Sequence, residues 1–166
     1  TFLSLFSCTS DENKEDHNDF LVQSNKDGYQ IELDQLNKRI KKYPNEIQSI
    51  IKRGNIELNN YKFDDAFADA ALAYRLDSTN FEARLLYATA ILNRPKRNEN
   101  DKRIAQRHFA QLLKQRPKDL KAIIGYANTY ALLQDFDNSR IWIDKALSIE
   151  PDHIEAFILK GSIYKT

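Results

Sequence analysis

Small residues recur along this chain at a fixed spacing, and large apolar residues lie between them at helical intervals. Gly54 and Ala88 are 34 residues apart, Ala88 and Ala127 are 39 apart, and Ala127 and Gly161 are again 34 apart. Three further series share this phase: Ala66, Ala105 and Ser139; Ala73, Leu112 and Ala146; and Pro44, Ser78, Pro117 and Pro151. Small residues at such a period let two antiparallel helices approach closely, and apolar residues fill the layers between pairs. The pattern predicts an all-α fold of stacked helix pairs.

Two segments, "YKFDDAFADAALAYRLDS" and "QDFDNSRIWIDKALSIEPD", resemble the tetratricopeptide repeat consensus, and the period of 34 residues matches that family. The resemblance covers residues 29–166 and implies a right-handed α-solenoid. It divides that region into a degenerate half-repeat, three helix pairs, of which the second carries five extra residues in its connection, and the first helix of a further pair: 29–46, 47–80, 81–119, 120–153 and 154–166. Arg53 stands where the family prefers a large apolar residue, so we expect weaker packing inside the first pair.

Composition and charge narrow the possible functions. The chain has 4 Gly and 4 Pro, which favours long helices, and its 25 basic residues nearly balance 24 acidic ones. Such balance gives no general attraction to a phosphate backbone, so no nucleic-acid partner is expected. A local basic run is interpreted as a solvated connection, with contact to phosphate or an acidic partner as the alternative; it comprises Arg94, Lys96, Arg97, Lys102, Arg103 and Arg107.

Residues suited to catalysis do not form a recognisable set. His17, His108 and His153 are scattered without a paired ligand at metal-binding spacing, and there is no glycine-rich phosphate loop. Carboxylates entering second helices, namely Asp64, Asp65, Asp135 and Asp137, are interpreted as helix caps. We therefore expect a protein that is not an enzyme, with no metal, no cofactor and no small-molecule substrate.

The N-terminus carries an apolar run that ends in Leu5-Phe6-Ser7-Cys8. It resembles the end of a bacterial lipoprotein signal peptide, which implies a signal remnant over residues 1–8, lipid attachment at Cys8 and a flexible polar tether over residues 9–28. The expected location is then the bacterial cell envelope, as an outer-membrane lipoprotein. The alternative is an incidental thiol on a soluble periplasmic or cytoplasmic protein.

The first helices of the pairs predict two exposed ladders on the inner surface of the solenoid. An apolar ladder contains Ile51, Leu85, Ile124 and Ile158, and a hydrogen-bonding ladder four residues further on contains Asn55, Thr89, Asn128 and Ser162. Together they suit a peptide or protein partner, although the aliphatic residues are alternatively packed between helices. Some tetratricopeptide proteins grip a terminal carboxylate with Lys and Asn. Here Ile51 and Leu86 stand at two of those places, so this mode of binding is not expected.

Three hypotheses remain for the whole chain. The first is a lipid-anchored adaptor that holds a protein or peptide partner in its concave groove. The second is a regulatory or substrate-positioning module of a longer enzyme or assembly factor. It would require further chain after helix 154–166, whose apolar side predicts either a cap or a continuation. The third is a soluble scaffold without lipid.

Overall fold

A computed structural model describes residues 28–164, and over this range the chain forms eight helices and no strand. Helix α1 covers residues 28–42. The others are α2 (Ile47–Asn59), α3 (Phe63–Leu76), α4 (Phe81–Asn93), α5 (Glu99–Gln115), α6 (Leu120–Leu132), α7 (Phe136–Ile149) and α8 (Ile154–Ile163). The predicted signal remnant, the lipid site at Cys8 and most of the predicted tether lie outside the described residues. Gly28, the last residue of that tether, is helical.

Consecutive helices pack as antiparallel pairs, α2 with α3, α4 with α5 and α6 with α7, and the pairs stack along the chain. The first helices also contact one another in succession, α2 with α4, α4 with α6 and α6 with α8. Among the described helices, the backbones of α3 and α5, and of α5 and α7, do not approach one another in this way. The stack therefore curves, with the first helices on its concave side. The prediction of an all-α solenoid of helix pairs is confirmed.

Side-chain caps fix where several helices begin. Asn80 accepts a hydrogen bond from the Ala83 N–H at 3.0 Å, and Asp119 accepts one from the Ala122 N–H at 2.9 Å. Asp135 caps α7 in the same way, as its sequence position predicts. Helix α3 has no side-chain cap, so the same interpretation of Asp64 and Asp65 is wrong; these two and Asp137 lie within the first helical turn, at the positive end of the helix dipole. Each cap satisfies an N–H group that has no partner inside the helix, which contributes about 1 kcal/mol.

The second pair accommodates its five extra residues in two places. Helix α5 has 17 residues, whereas α3 and α7 each have 14, so three of the five lengthen the helix. The sequence had placed all five in the connection. Asn98 explains the difference because it forms a capping box with Asp101, with bonds of 3.0 and 2.9 Å, and starts the helix early.

Side chains of neighbouring helices pack directly on two glycines, which requires the absence of a Cβ there. A Cβ on Gly54 would lie 2.7 Å from Cδ2 of Leu86 and 3.1 Å from Cβ of Asp69. A Cβ on Gly125 would lie 2.3 Å from the ring of Phe109, whose side chain is fully buried. Gly161 differs from both, because a Cβ there would meet nothing within 4 Å.

Arg53 does not weaken the first pair in the way that its sequence position predicts. Its guanidinium group donates to both carboxylate oxygens of Asp69 on α3, at 2.7 and 2.6 Å, and to Asn37 on α1 at 2.7 Å. The side chain of Asp69 is only 7% exposed. A bidentate ion pair therefore replaces the expected apolar contact and also connects α1 to the stack.

The last described helix keeps an apolar side open to solvent. Ile154, Phe157, Ile158 and Tyr164 are all more than half exposed, whereas Ala156 and Ile163 are buried against the preceding pair. No helix in residues 28–164 combines the length and the apolar character needed to cross a membrane.

Candidate functional site

The concave side of the stack forms one groove of about 730 Å³ along α2, α4, α6 and α8. Its lining includes every groove residue that the sequence predicts, namely Ile51, Asn55, Leu85, Thr89, Ile124, Asn128, Ile158 and Ser162. These residues come from four helices spread over more than a hundred positions in the chain. The repeat brings them together because each helix presents the same face to the groove.

The apolar ladder becomes more accessible along the chain. Ile51 is only 6% exposed and packs with Ile50, Ala70 and Leu86, so it belongs to the floor of the groove. The expectation that Ile51 is an exposed contact residue is therefore wrong. Leu85 and Ile124 are half-buried, and Ile158 is 66% exposed. The central and C-terminal parts of the groove offer the larger apolar contact.

Three members of the hydrogen-bonding ladder donate to carbonyls of their own helices, and the fourth, Asn128, does not. The Asn55 amide donates to the Ile51 carbonyl at 2.9 Å, the Thr89 hydroxyl to the Leu85 carbonyl at 2.9 Å, and the Ser162 hydroxyl to the Leu159 carbonyl at 2.7 Å. These groups keep free acceptor oxygens. Asn128 makes no side-chain hydrogen bond within residues 28–164. It therefore retains both donor and acceptor capacity for a ligand backbone.

Further groove residues escaped the reasoning from sequence. Asn59 and Asn93 line the groove one helical turn beyond Asn55 and Thr89, and the same spacing of four residues would have found them. Phe109 is the less expected member, since it belongs to the second helix α5. Its fully buried ring lies beneath the floor of the groove, where Gly125 on α6 has no side chain that would displace it.

Charged residues at the edge of the groove do not favour one sign. Glu82 pairs with Arg116 at 2.8 Å, and Glu155 lies 3.3 Å from Nε2 of His153. Lys121 is the remaining charged residue of the lining, and it has no ion-pair partner among the described residues. The groove thus lacks the concentrated positive charge that a strongly acidic peptide would require.

The basic run lies outside the groove lining, and several of its members have local partners. The Arg94 guanidinium sits 4.2 Å from the centre of the Phe67 ring, Lys102 donates to the Leu132 carbonyl at 3.0 Å, and Arg103 pairs with Glu99 at 2.8 Å. These contacts stabilise the connection and the start of α5.

The histidines within the described range have structural surroundings. His153 caps α8 by accepting the Ala156 N–H at 3.4 Å. His108 packs edge-on against Tyr74 and Tyr87, and its Nδ1 is buried without a hydrogen-bond partner. Burial, followed by the nearby Arg84 and Arg107, lowers the pKa of His108. No group of three His, Cys, Asp or Glu residues within positions 28–164 is placed to hold a metal ion; His17 lies outside that range.

Trp142 packs against Tyr126. The two rings meet edge to face with their centres 4.8 Å apart. The Lys145 ammonium lies 4.4 Å from the centre of the indole ring on its own helix. This tryptophan therefore joins α6 to α7.

A second depression, of about 770 Å³, lies between α1 and α2. Its lining is mainly charged, and four of its six charged residues pair locally: Lys52 bonds Glu32 at 2.8 Å, and Arg39 binds Glu46. Hydrogen bonds from Arg39 and Ser49 lower the pKa of Glu46 to about 2. The depression offers little apolar surface, so the concave groove is the better candidate for a binding site.

No family model matches the sequence, and no curated protein is significantly similar to it. Solved structures do match. TTC0263, a thermophilic TPR protein of Thermus thermophilus, has a TM-score of 0.70 over 87% of this chain and 77% of its own, at 16% identity. MamA has a TM-score of 0.66 at 20% identity, over 86% of this chain and 75% of its own.

A third match is the first TPR domain of Spaghetti (RPAP3), bound to the HSP90 peptide SRMEEVD. It has a TM-score of 0.59 at 17% identity, over 72% of this chain and 91% of its own. At such low identities the likeness concerns the fold alone. The chain has the tetratricopeptide repeat fold.

Proposed function

We propose that this chain is a scaffold, without catalytic activity of its own, that binds a peptide segment of a partner protein in its concave groove. The observation that carries the proposal is the convergence of eight predicted residues from four helices on one groove. The apolar ladder would bury side chains of the peptide, and the neighbouring amide and hydroxyl oxygens would bond its backbone. The RPAP3 domain with its bound HSP90 peptide supports the use of this fold for peptide binding.

The chemistry of the groove argues for a ligand other than an acidic tail. Ile51 and Leu86 occupy places where carboxylate-gripping relatives of this fold carry Lys and Asn. Both side chains belong to the apolar cluster that holds α2, α3 and α4 together. Lys121 alone supplies an unpaired positive charge to the lining. We therefore propose a largely apolar peptide as the ligand.

Two matched variants test the groove. Peptides are selected from a random display library on the wild-type chain, and their affinities are then measured by fluorescence anisotropy. Ile158→Lys and Ile141→Lys make the same change at residues that are 66% and 63% exposed, but only Ile158 lines the groove. We expect about tenfold weaker binding for Ile158→Lys, as for a buried contact at an interface, and unchanged binding for Ile141→Lys. Equal effects of the two variants would contradict the proposal.

We further propose that Cys8 carries lipid and tethers the scaffold to a bacterial envelope membrane. The support is the sequence Leu5-Phe6-Ser7-Cys8 followed by a polar acidic tract. Acyl chains contribute roughly 0.8 kcal/mol for each buried methylene, so several chains on one cysteine anchor a protein stably. The test is the intact mass of the protein from the membrane fraction of a bacterial host that expresses the natural gene from its own start. An acyl mass increase that Cys8→Ala abolishes is expected; an unmodified product would exclude the tether.

A further inference from the structure

The side chains that line the groove recur from one first helix to the next. Its first helices contact one another directly in the order α2, α4, α6 and α8. Packed helices lie about 8–10 Å apart, so the apolar ladder presents one side chain at about that interval. The concave curvature brings the side-chain ends slightly closer than the helix axes. A ligand that fills successive positions must repeat its own apolar side chains at the same distance.

Few peptide conformations have this repeat on one face. A β-strand rises about 3.3 Å per residue and alternates its faces, so same-face side chains are about 6.6 or 13 Å apart. An α-helix returns to one face after seven residues, or about 10.5 Å, which lies just beyond the range. A polyproline II helix has three residues per turn and rises about 3.1 Å per residue, so every third side chain recurs on one face at about 9.3 Å.

The hydrogen-bonding ladder separates the polyproline II helix from the α-helix. An α-helix uses its backbone N–H and C=O groups internally, whereas a polyproline II segment leaves them unpaired. Asn128 has a complete free amide in the centre of the groove, and Asn55 and Thr89 offer acceptor oxygens two units and one unit away. The free oxygens and the Asn128 amide gain partners only from a ligand whose backbone has groups to bond.

The charged residues of the groove lining determine what net charge the ligand should carry. The Glu82 carboxylate pairs with Arg116, which leaves one negative charge, Glu155, and one positive charge, Lys121, in the lining as the structure describes it. The nearly neutral groove is complementary to an uncharged segment, because a run of charges would lose its hydration without gaining partners.

We infer that the groove takes an uncharged segment of a partner protein in the polyproline II conformation, with an apolar side chain at every third position. This inference rests on the proposed function and specifies its ligand. Apolar side chains seat on Leu85, Ile124 and Ile158 in succession, and Asn128 bonds the backbone between two of them.

Three synthetic peptides with four leucines each test the spacing. The first repeats Leu-Pro-Gln four times, the second has the same composition with its leucines at every second position, and the third is a helical alanine-rich peptide whose leucines lie seven residues apart. Affinities are measured by fluorescence anisotropy on the whole chain and on its Ile158→Lys and Ile141→Lys variants. We expect the first peptide to bind at least about tenfold more tightly than the others, since one well-seated leucine contributes that much.

The outcomes separate the inference from the proposed function. Preference for the first peptide, weakened by Ile158→Lys and not by Ile141→Lys, supports the inference, as does apolar enrichment at every third position among library-selected peptides. Tighter, groove-dependent binding of the second or third peptide overturns the inference and leaves the proposed function in place. If neither a designed nor a selected peptide depends on Ile158, both are overturned.

Discussion

The first helix pair and the two pairs after it use different chemistry at the same place. One position on each first helix faces one position on each second helix, at the spacing of the repeat. The occupants are Arg53 with Asp69, Tyr87 with His108, and Tyr126 with Trp142. The first pair is ionic, and the other two are aromatic contacts with ring centres 5.4 and 4.8 Å apart. The same two positions of the repeat therefore accommodate either chemistry when both residues change together.

The ionic pair and the aromatic pairs differ in the energetic effect of losing one partner. An aromatic ring that loses its neighbour loses contact area, whereas a buried carboxylate that loses its cation keeps its full desolvation cost. Asp69 is in the second situation, because its side chain is 7% exposed and Arg53 supplies both of its hydrogen bonds. The first pair is thus the more vulnerable to a single substitution.

Arg53→Ala is the variant with the largest expected effect. It leaves the Asp69 carboxylate buried without its cation, and it removes the bond from Arg53 to Asn37 on α1. Removing one partner of a buried ion pair costs about 3–5 kcal/mol. Because Arg53 is partly exposed, we expect the free energy of unfolding to fall by about 3 kcal/mol. Urea unfolding followed by circular dichroism measures the change in the free energy of unfolding.

The matched control transfers the second pair's chemistry into the first. Arg53→Tyr together with Asp69→His places the residues of Tyr87 and His108 at the equivalent positions. We expect the double variant to be more stable than Arg53→Ala, because no unpaired charge remains buried. If Arg53→Ala alone unfolds at the wild-type urea concentration, the ion pair does not hold the first helix pair together.

The sequence predicts those features that depend on residue size and spacing alone. Gly54 had to be small because another helix approaches it, and the structure places Leu86 and Asp69 against it. The two groove ladders follow in the same way, because residues four apart share one face of a helix. Such features need no knowledge of the partner side chain.

Features that depend on a pair of side chains were not predictable from one position. The unusual Arg53 is visible in the sequence, but its effect depends on Asp69, sixteen residues later on another helix. The burial of Ile51 likewise depends on how closely α2, α3 and α4 pack, and the place of Phe109 beneath the floor of the groove depends on Gly125 opposite it. These outcomes come from tertiary packing, which residue spacing does not specify.

His108→Phe tests the second pair and has an intermediate expected effect. The change keeps a ring between Tyr74 and Tyr87 and removes the buried Nδ1 that has no partner, so we expect a gain of about 1 kcal/mol at pH 7. Burial lowers the pKa of His108 in the fold. The unfolded chain therefore takes up this proton first, and wild-type stability should fall as the pH drops below about 6.5.

His108→Phe should lack the loss of stability that protonation of His108 causes in acid. Urea unfolding between pH 7 and pH 5 measures this difference from wild type. His108→Gln serves as the control, since it removes the titration but leaves a buried polar group. A wild-type chain whose acid dependence is identical to that of His108→Phe would show that His108 is solvated in the fold.

Tyr126→Phe tests the third pair and has the smallest expected effect. It keeps the ring against Trp142 and removes the hydroxyl contact with Tyr130 at 3.1 Å, a loss of about 0.5 kcal/mol near neutral pH.

Burial, aided by the hydrogen bond to Tyr130, raises the pKa of Tyr126 to about 12 from 10.0. The folded state therefore holds this proton more tightly, and wild-type stability should fall as the pH rises from about 10 to about 12. Urea unfolding at pH 9 and pH 11 should show a smaller alkaline loss for Tyr126→Phe than for wild type, and no such change for the exposed control Tyr61→Phe. Equal alkaline losses in all three proteins would mean that the Tyr126 hydroxyl is not buried, and that the third pair is held by ring contact alone.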